Sequence, residues 1–122
     1  MPIFHTTYAF IIALSTWHRQ CPKPHRHGTA QYCYTLGLDI LKLLLRAIAE
    51  PTKRLYCLRE MSMSVDQLKI FLRLAKDTGA LTPKNYINLQ ASLQEIGKQL
   101  GGWLRDLQTK RPATGVGAFC EK

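Results

Sequence analysis

Residues 81–110, LTPKNYINLQASLQEIGKQLGGWLRDLQTK, carry an unbroken hydrophobic pattern. The apolar residues recur at alternating steps of three and four, which predicts one continuous stripe along an amphipathic helix. Thr82 is a favoured N-cap residue, and Pro83 suits the first helical turn because its missing N–H is not needed there. Arg111-Pro112 predicts the end of the helix. The stripe consists of Tyr86, Leu89, Leu93, Ile96, Leu100, Trp103 and Leu107.

Three glycines, Gly97, Gly101 and Gly102, lie inside this helix. Each should cost the helix about 1 kcal/mol relative to alanine, so a compensating role is expected. Gly97 and Gly101 lie one turn apart, which would let a neighbouring backbone approach, and Trp103 would fill the space beside them. The pattern allows either a tight helix crossing within the fold or a contact between subunits.

The preceding chain predicts three more helices, over residues 3–19, 29–50 and 52–78. Residues 21–28, CPKPHRHG, form a cationic loop by their prolines and glycine. Glu50-Pro51 separates the second helix from the third, Thr52 is a candidate N-cap, and Gly79 a candidate C-cap. In the first helix the apolar residues at helical spacing are Phe4, Tyr8, Ile11 and Ile12, with Phe10, Leu14 and Trp17 beside them.

The second predicted helix has an unusually narrow polar face. Its polar residues form one stripe, and nearly everything else between Leu36 and Ile48 is apolar. A helix with so little polar surface must be covered on more than one side. Three neighbouring helices in a monomer could cover it, and so could a second subunit. The third helix shows a regular inward stripe of Leu58, Met61, Val65, Leu68, Leu72 and Ala75.

Four helices with short connections predict an all-α fold, an up-down-up-down four-helix bundle. The 122 residues suffice for one domain, which we assign to residues 1–110, with 111–122 as a flexible C-terminal tail. No secretory signal or membrane-length apolar run is apparent, and the four cysteines form no C-x-x-C pair. We therefore expect a cytoplasmic protein with reduced thiols and no membrane contact.

The composition is strongly basic. Seventeen Lys+Arg face eight Asp+Glu, which gives a net charge of +9. A small domain this basic is expected to attract polyanions. Lys69, Arg73 and Lys76 fall on one face of the third helix, where they could follow a phosphate backbone. Arg26, Lys98 and Arg105 are further candidates, so the candidate nucleic-acid-binding set is Arg26, Lys69, Arg73, Lys76, Lys98 and Arg105.

Recognition by shape and charge is expected rather than base reading, because no recognition-helix motif or aromatic strand platform is visible. Two alternatives stay open for these residues. They could form an ordinary solvated surface, or they could steer an acidic protein partner toward an interaction scaffold.

No metal, cofactor or catalytic centre is expected. Cys21, His25, His27 and Cys33 give the spacing C-x3-H-x-H-x5-C, which is not typical of a zinc site. The possible nucleophiles have no base at a motif-like spacing, the acids are not paired, and no glycine-rich loop follows a strand. Those nucleophiles are Cys21, Cys33, Cys57 and Ser15.

The segment KIFLRLAKDTGALTPKNY (residues 69–86), followed by LQEIGKQLGGWL (residues 93–104), resembles the small bacterial four helix bundle protein family. LRLAKD and LGGW are its most specific parts, and Pro22, Arg26 and the HGTAQ of residues 27–31 agree with it. The family includes the accessory variability determinant proteins of diversity-generating retroelements. It also includes proteins encoded in intervening sequences of ribosomal RNA genes.

This resemblance implies several properties beyond the fold. It implies a basic, homopentameric barrel of four-helix bundles, encoded by a bacterium or phage. It further implies binding of RNA or DNA and of the reverse transcriptase of the retroelement, in support of mutagenic copying. Catalytic activity of its own is not implied. A ribosomal RNA intervening-sequence protein, or a scaffold without a direct nucleic-acid role, is the alternative.

Overall fold

The periodic segments of the sequence form helices in the computed structural model, which describes residues 2–110. The predicted tail at residues 111–122 lies outside the described residues. All regular secondary structure within residues 2–110 is helical, which confirms the all-α prediction. The elements are α1 (Pro2–Gln20), α2 (Lys23–Arg26), α3 (Thr29–Ala49), a 3-10 turn (Pro51–Lys53), α4 (Arg54–Asp77) and α5 (Pro83–Lys110).

The four long helices pack as a bundle. α3 packs against both α1 and α4, and α5 packs against both α4 and α1. The order around the bundle is therefore α1, α3, α4, α5, with α1 and α4 on a diagonal. The short connections make successive long helices run in opposite directions, as the sequence predicts.

The core contains the stripes predicted for α4 and α5. The whole α4 stripe from Leu58 to Ala75 is buried. On α5 the stripe is buried from Leu89 to Leu100, while Tyr86, Trp103 and Leu107 at its two ends are half-buried. Burial of a large aliphatic side chain contributes about 1.5–3 kcal/mol, so these stripes contribute a substantial part of the stability.

The predicted apolar pattern of α1 is partly wrong. Tyr8 and Ile12 are 53% and 54% exposed, and Phe4 is half-buried. The first helix is apolar over most of its circumference, so periodicity alone cannot say which side the other helices cover. The buried face consists of Ile3, Thr7, Phe10, Ile11, Leu14 and Trp17.

Two of the predicted helix ends are confirmed. The Thr82 hydroxyl accepts a hydrogen bond of 3.2 Å from the backbone N–H of Asn85, as an N-cap does. Gly79 follows α4 with φ +86°, the left-handed conformation that glycine adopts without strain. Thr52 is not a cap, because it lies in the 3-10 turn and α4 begins at Arg54 without a side-chain cap. The predicted loop at residues 21–28 contains the single turn of α2.

Side chains of α1 and α4 fasten the bundle at its ends. Trp17 donates from Nε1 to the carbonyl of Ala80 at 2.9 Å, which ties the end of α1 to the α4–α5 turn. At the opposite end, Arg54 donates from Nε to the Ala47 carbonyl at 2.8 Å and from Nη2 to the Ile48 carbonyl at 3.2 Å. These bonds satisfy carbonyls that the end of α3 leaves without helical partners.

The tight helix crossing predicted at Gly97 and Gly101 is wrong; the close approach is at Gly37 instead. A Cβ atom on Gly37 would lie 2.6 Å from Leu14 Cδ1 and 3.1 Å from Ile11 Cδ1, so α1 and α3 meet there. Around Gly97, Gly101 and Gly102 no atom outside the local helix comes closer than 3.6 Å to the Cβ position. A contact between subunits stays a prediction for these three residues.

Candidate nucleic-acid interface

Charge is unevenly distributed around the bundle. α1 has no Lys, Arg, Asp or Glu from Pro2 to Trp17. α4 and α5 together hold nine of the 17 Lys+Arg of the chain and five of its eight Asp+Glu. Net charge therefore does not single out these two helices, and a nucleic-acid site on them depends on how their bases are placed relative to their acids.

The bases of α4 lean toward α5. Lys69 Nζ lies 3.9 Å from the position that a Cβ on Gly97 would occupy. Lys76 Nζ lies 5.0 Å from the ring centroid of Tyr86, a cation–π contact that positions its ammonium group over α5. Arg73 lies between them along the helix, and its side chain is 72% exposed. All three therefore border the groove between the two helices.

Gln90 holds the two helices in register at this groove. Its Nε2 donates to the backbone carbonyl of Lys69 at 3.2 Å and to the Tyr86 hydroxyl at 2.9 Å. A single amide thus joins α5 to the backbone of α4 beside the lysines. This contact fixes the spacing of the basic residues on the two helices.

The bases of α5, Lys98 and Arg105, lie on its exposed side. Gly97, which faces Lys69, is followed at four-residue steps by Gly101 and Arg105, so the three lie along one side of α5. Arg105 Nη1 lies 3.6 Å from the Cβ position of Gly101, so its guanidinium lies back over the glycine. Lys98 is exposed and precedes Arg105 by two helical turns. We name Lys69, Arg73, Lys76, Lys98 and Arg105 the basic surface.

Acidic residues are largely kept away from the basic surface. Asp77 lies 3.6 Å from Lys76 and 3.9 Å from Arg73, but these exposed pairs are weak. Within residues 2–110 no carboxylate lies within 4.0 Å of the other three bases. Glu95 accepts a hydrogen bond from Gln99, and Gln99 borders a cleft together with Asp106 and Pro2 of α1. Arg105 borders the same cleft, so the side of α5 toward α1 carries a base as well as these acids.

Arg26 is the one predicted binding residue that lies elsewhere. It belongs to α2, where its Nε donates to the Cys21 carbonyl at 3.2 Å and its Nη2 to the Arg19 carbonyl at 3.1 Å. Those contacts close the end of α1 and engage part of the guanidinium. The structure places Lys69, Arg73 and Lys76 along the α4–α5 groove and Lys98 and Arg105 on exposed positions of α5, and it leaves Arg26 apart.

Trp103, grouped with the glycines as a packing residue, lies at the far end of the bundle. Its ring faces the guanidinium of Arg54, whose Cζ lies 5.7 Å from the ring centroid. Trp103 and Gly102 also border an open cleft between α1 and α5 of about 470 Å³. Trp103 thus packs within the subunit, beside α1 and α4, and does not cover Gly97.

Lys84 was not among the predicted residues. It is exposed in the first turn of α5, two residues before Tyr86, whose ring contacts the Lys76 ammonium group. On the sequence alone it belongs to no spaced series of bases. Residues two positions apart on a helix face different sides, so Lys84 points away from the side on which Tyr86 meets Lys76.

The residues considered for metal binding do not come together. Cys21 and Cys33 are buried, whereas His27 is exposed and His25 is only half-buried. Across residues 2–110, no three His, Cys, Asp or Glu side chains are grouped in a way that could hold a metal ion. In the same part of the chain no helix is long and apolar enough to cross a membrane.

A comparison with models of protein families identifies the family of this chain. A family model described as bAvd-like matches residues 3–107. The chain belongs to the bAvd-like family. This is the family of bacterial accessory variability determinant proteins, and it confirms the resemblance noted in residues 69–104.

The bAvd-like match covers all four long helices and the entire basic surface. It ends three residues before the end of α5, ahead of the predicted tail. No curated protein matches the chain.

Proposed function

We propose that this bAvd-like protein is a non-catalytic accessory protein of a diversity-generating retroelement. It binds RNA or DNA through the basic surface, without sequence specificity, and associates with the reverse transcriptase during mutagenic copying. The observation that carries the nucleic-acid part is the row of Lys69, Arg73 and Lys76 on α4, two of which reach over α5, with Lys98 and Arg105 exposed on α5.

The basic surface suits a phosphate backbone. Lysine and arginine side chains neutralise phosphates and release condensed counterions, a gain that does not depend on sequence and weakens with salt. Arg73, the most exposed of the α4 bases, is free to contact a phosphate, while Lys76 is held beside it over Tyr86. Contacts of this kind position a nucleic acid without reading its bases.

The state of the thiols supports a role without catalysis. Cys21, Cys33 and Cys57 are all buried. Burial raises the pKa of the Cys21 thiol, and it raises the pKa of the Cys33 thiol to about 12. A thiol must lose its proton to act as a nucleophile, so these two remain inert near neutral pH.

Assembly into a homopentamer, which the family resemblance implies, is part of the proposal. Each subunit would add its own basic surface to one particle. Linked sites raise the apparent affinity for a long polyanion without any new type of contact.

A scaffold without a direct nucleic-acid role, such as a ribosomal RNA intervening-sequence type protein, is the second candidate. The exposed apolar side chains of α1, α3 and α4 favour it, because such surfaces mark contacts between proteins. Under this alternative the positive charge only steers an acidic partner.

Binding of a fluorescent DNA or RNA duplex of unrelated sequence across a salt series tests the proposal. The variant Lys69→Gln/Arg73→Gln is expected to weaken binding and to lower the magnitude of the salt slope by about 1.8 on duplex DNA, because each lost phosphate contact removes about 0.9. The helical circular dichroism signal is expected to stay unchanged, since neither side chain belongs to the core.

Lys42→Gln/Lys53→Gln is the matched control. It lowers the net charge by the same amount, from +9 to +7, at exposed positions on α3 and in the 3-10 turn. We expect its salt slope to equal that of the wild type. Equal losses in both variants would mean that only net charge matters, and binding insensitive to salt would favour the scaffold.

A further inference from the structure

An open cleft lies between the start of α1 and the last turns of α5. Pro2 and Ile3 border it on one side, α5 borders it on the other from Gln99 to Asp106, and its volume is about 470 Å³. We name it the α1–α5 cleft. Ligand pockets in proteins have volumes of about 300–1,000 Å³, so this cleft can hold a small molecule or one residue of a polymer. Of the side chains that border it, the proposed function uses only that of Arg105.

The backbone of α5 is bare where Gly102 borders the cleft. Apart from the two chain neighbours of Gly102, the only side chain of residues 2–110 within 4 Å of its Cβ position is that of Arg105, whose Nη2 lies at 3.9 Å. Glycine lowers the stability of a helix relative to alanine, and here no neighbouring helix takes up the space. A ligand that lies against the backbone at Gly102 would account for the missing side chain.

Gln99 provides a hydrogen-bond acceptor that has no donor. Its Nε2 donates to Glu95 Oε2 at 2.9 Å, whereas its Oε1 is fully buried and has no hydrogen-bond partner within residues 2–110. Buried polar atoms nearly always have a partner, because an unpaired one has lost its hydration without compensation. Gln99 as a whole is only half-buried, so a small rotation of the amide would turn Oε1 toward the α1–α5 cleft. A ligand N–H would supply the missing donor there.

Two charged side chains without ion-pair partners lie at the edge of the cleft. Arg105 and Asp106 both border it and are exposed, and within residues 2–110 neither has an opposite charge within 4.0 Å. The Arg105 guanidinium lies over the bare backbone, with Nη1 3.6 Å from the Cβ position of Gly101 and Nη2 3.9 Å from that of Gly102. An arginine suits a phosphate, and a carboxylate can accept two N–H groups at once.

Trp103 adds a flat aromatic surface that is held in place. Its side chain borders the cleft, and the Cζ of Arg54 lies 5.7 Å from the centroid of its ring. Arg54 is itself fixed by hydrogen bonds to the carbonyls of Ala47 and Ile48. Proteins bind unpaired bases by stacking them on aromatic side chains, with arginine on the phosphates, so the cleft combines the groups that this kind of ligand needs.

We propose that the α1–α5 cleft binds one unpaired guanine nucleotide of an RNA or DNA strand. The base stacks on Trp103, and its phosphate meets Arg105. The N1–H and the N2 amino group of guanine donate to the Asp106 carboxylate and to Gln99 Oε1. Guanine is chosen because it presents two adjacent N–H donor groups on its pairing edge, whereas adenine, cytosine and uracil present one. A duplex does not fit the cleft, because that edge is then paired.

The inference rests on the proposed function for the source of the nucleotide, and it adds a base contact that the basic surface does not make. Arg105 belongs to both the basic surface and the cleft, so a strand held by its phosphates can place one unpaired base in the cleft. Phosphate contacts alone carry no sequence information, whereas a contact with the edge of a base does.

Fluorine NMR of the full chain labelled with 5-fluorotryptophan tests the cleft directly. The chain has two tryptophans, and Trp17, buried at the other end of the bundle, serves as the internal reference. With GMP as the probe, we expect a saturable shift of the Trp103 signal alone. UMP, which has one donor on its pairing edge, and ribose 5-phosphate, which has no base, should each bind about tenfold more weakly or less. Equal affinity for GMP and either of these would overturn the assignment, as would no shift with GMP.

Gln99→Leu and its matched control Gln94→Leu separate binding from folding. Gln94 is an exposed glutamine of the same helix that does not border the cleft. We expect Gln99→Leu to weaken GMP binding about tenfold and to leave stability in urea unchanged or higher, because it removes an unpaired buried oxygen. Gln94→Leu should bind GMP as the wild type does. A Gln99→Leu variant that is less stable but binds GMP normally would overturn the assignment.

Gly102→Leu fills the cleft and should abolish the GMP shift, while its binding of duplex keeps the wild-type salt slope, since no positive charge is lost. The duplex series also keeps this test apart from that of the proposed function. A wild type that binds duplex but not GMP would overturn the cleft site alone. A wild type that binds GMP but not duplex would overturn the nucleic-acid part of the proposed function and support the cleft as a nucleotide site.

Discussion

The seam between α1 and α3 differs from the seam between α4 and α5 in both packing and charge. At the first, Gly37 has no room for a side chain, because Leu14 and Ile11 of α1 fill the space above it. At the second, Gly97 and Gly101 have room, and cationic side chains lie over them. The first seam is built for close contact between apolar helices, and the second leaves its surface open to a charged ligand.

The comparison shows that a glycine in a helix does not by itself indicate a close contact with a neighbouring helix. All of these glycines lower helix propensity by about the same amount. At Gly37 the cost is offset by close packing of α1 on α3. At Gly97 and Gly101 the subunit itself offers no such compensation, which agrees with a role in contacts made outside it.

Gly37→Leu is expected to have the largest effect on stability. Its Cβ would already lie 2.6 Å from Leu14 Cδ1, and Leu14 is fully buried, so an added side chain must displace the core. We expect a loss of about 3 kcal/mol in the free energy of unfolding, the upper part of the range for overpacked cores. Urea denaturation followed by circular dichroism, at one fixed protein concentration, measures it.

Gly101→Leu is the matched control for this prediction. Both substitutions gain the same intrinsic helix propensity, so their difference reports packing alone. At Gly101 the nearest atom is Nη1 of Arg105, an exposed side chain that is free to move. At a protein concentration low enough to keep the chain monomeric, the control should be as stable as the wild type or slightly more so. Equal destabilisation at the two positions would mean that the seams do not differ in packing.

The two tryptophans extend the comparison to hydrogen bonding. Trp17→Phe removes a buried donor and leaves the Ala80 carbonyl with only a weak contact from Cys21 Sγ at 3.7 Å. We expect a loss of about 2 kcal/mol, as for other buried polar groups that lose a partner. Trp103→Phe should lose about 0.5–1 kcal/mol, because its cation–π contact with Arg54 is partly exposed. Thermal or urea unfolding of the pair gives the ranking, and the reverse order would contradict it.

The sequence was sufficient for much of the fold because α4 and α5 are amphipathic. One side of each helix is apolar and the other polar, so the buried stripes from Leu58 to Ala75 and from Leu89 to Leu100 follow directly. α1 is apolar nearly all round, and its buried side depends on where α3 and α5 lie. The same tertiary information is needed to see that Gly37, and not Gly101, lies at a helix crossing.

The candidate site was predictable to a similar degree. The spacing of Lys69, Arg73 and Lys76 shows their shared face within one helix. The position of Lys98 and Arg105 relative to these three depends on the pairing of α5 with α4, which no local pattern encodes. Spacing also cannot show that the Arg26 guanidinium donates hydrogen bonds to two backbone carbonyls at the end of α1.

The smallest effect concerns the pH dependence of stability. Burial raises the pKa of the Cys33 thiol from 9.0 to about 12, and the neighbouring Cys21 adds to the shift. The folded protein thus holds this proton more tightly than the unfolded chain. Its contribution is complete below about pH 9 and is lost as the pH rises toward 12. At pH 10 we expect the wild type to lose about 1 kcal/mol through Cys33.

Cys33→Ala isolates this contribution. The variant loses packing at every pH, but its stability should fall less steeply between pH 9 and pH 10 than that of the wild type. All other groups that respond to pH are shared by both proteins, so their effect cancels in the difference. Urea unfolding at several pH values measures the two slopes. Parallel profiles would mean that water reaches the Cys33 thiol in the folded protein. The core between α1 and α3 would then be open to water despite the close packing around Gly37.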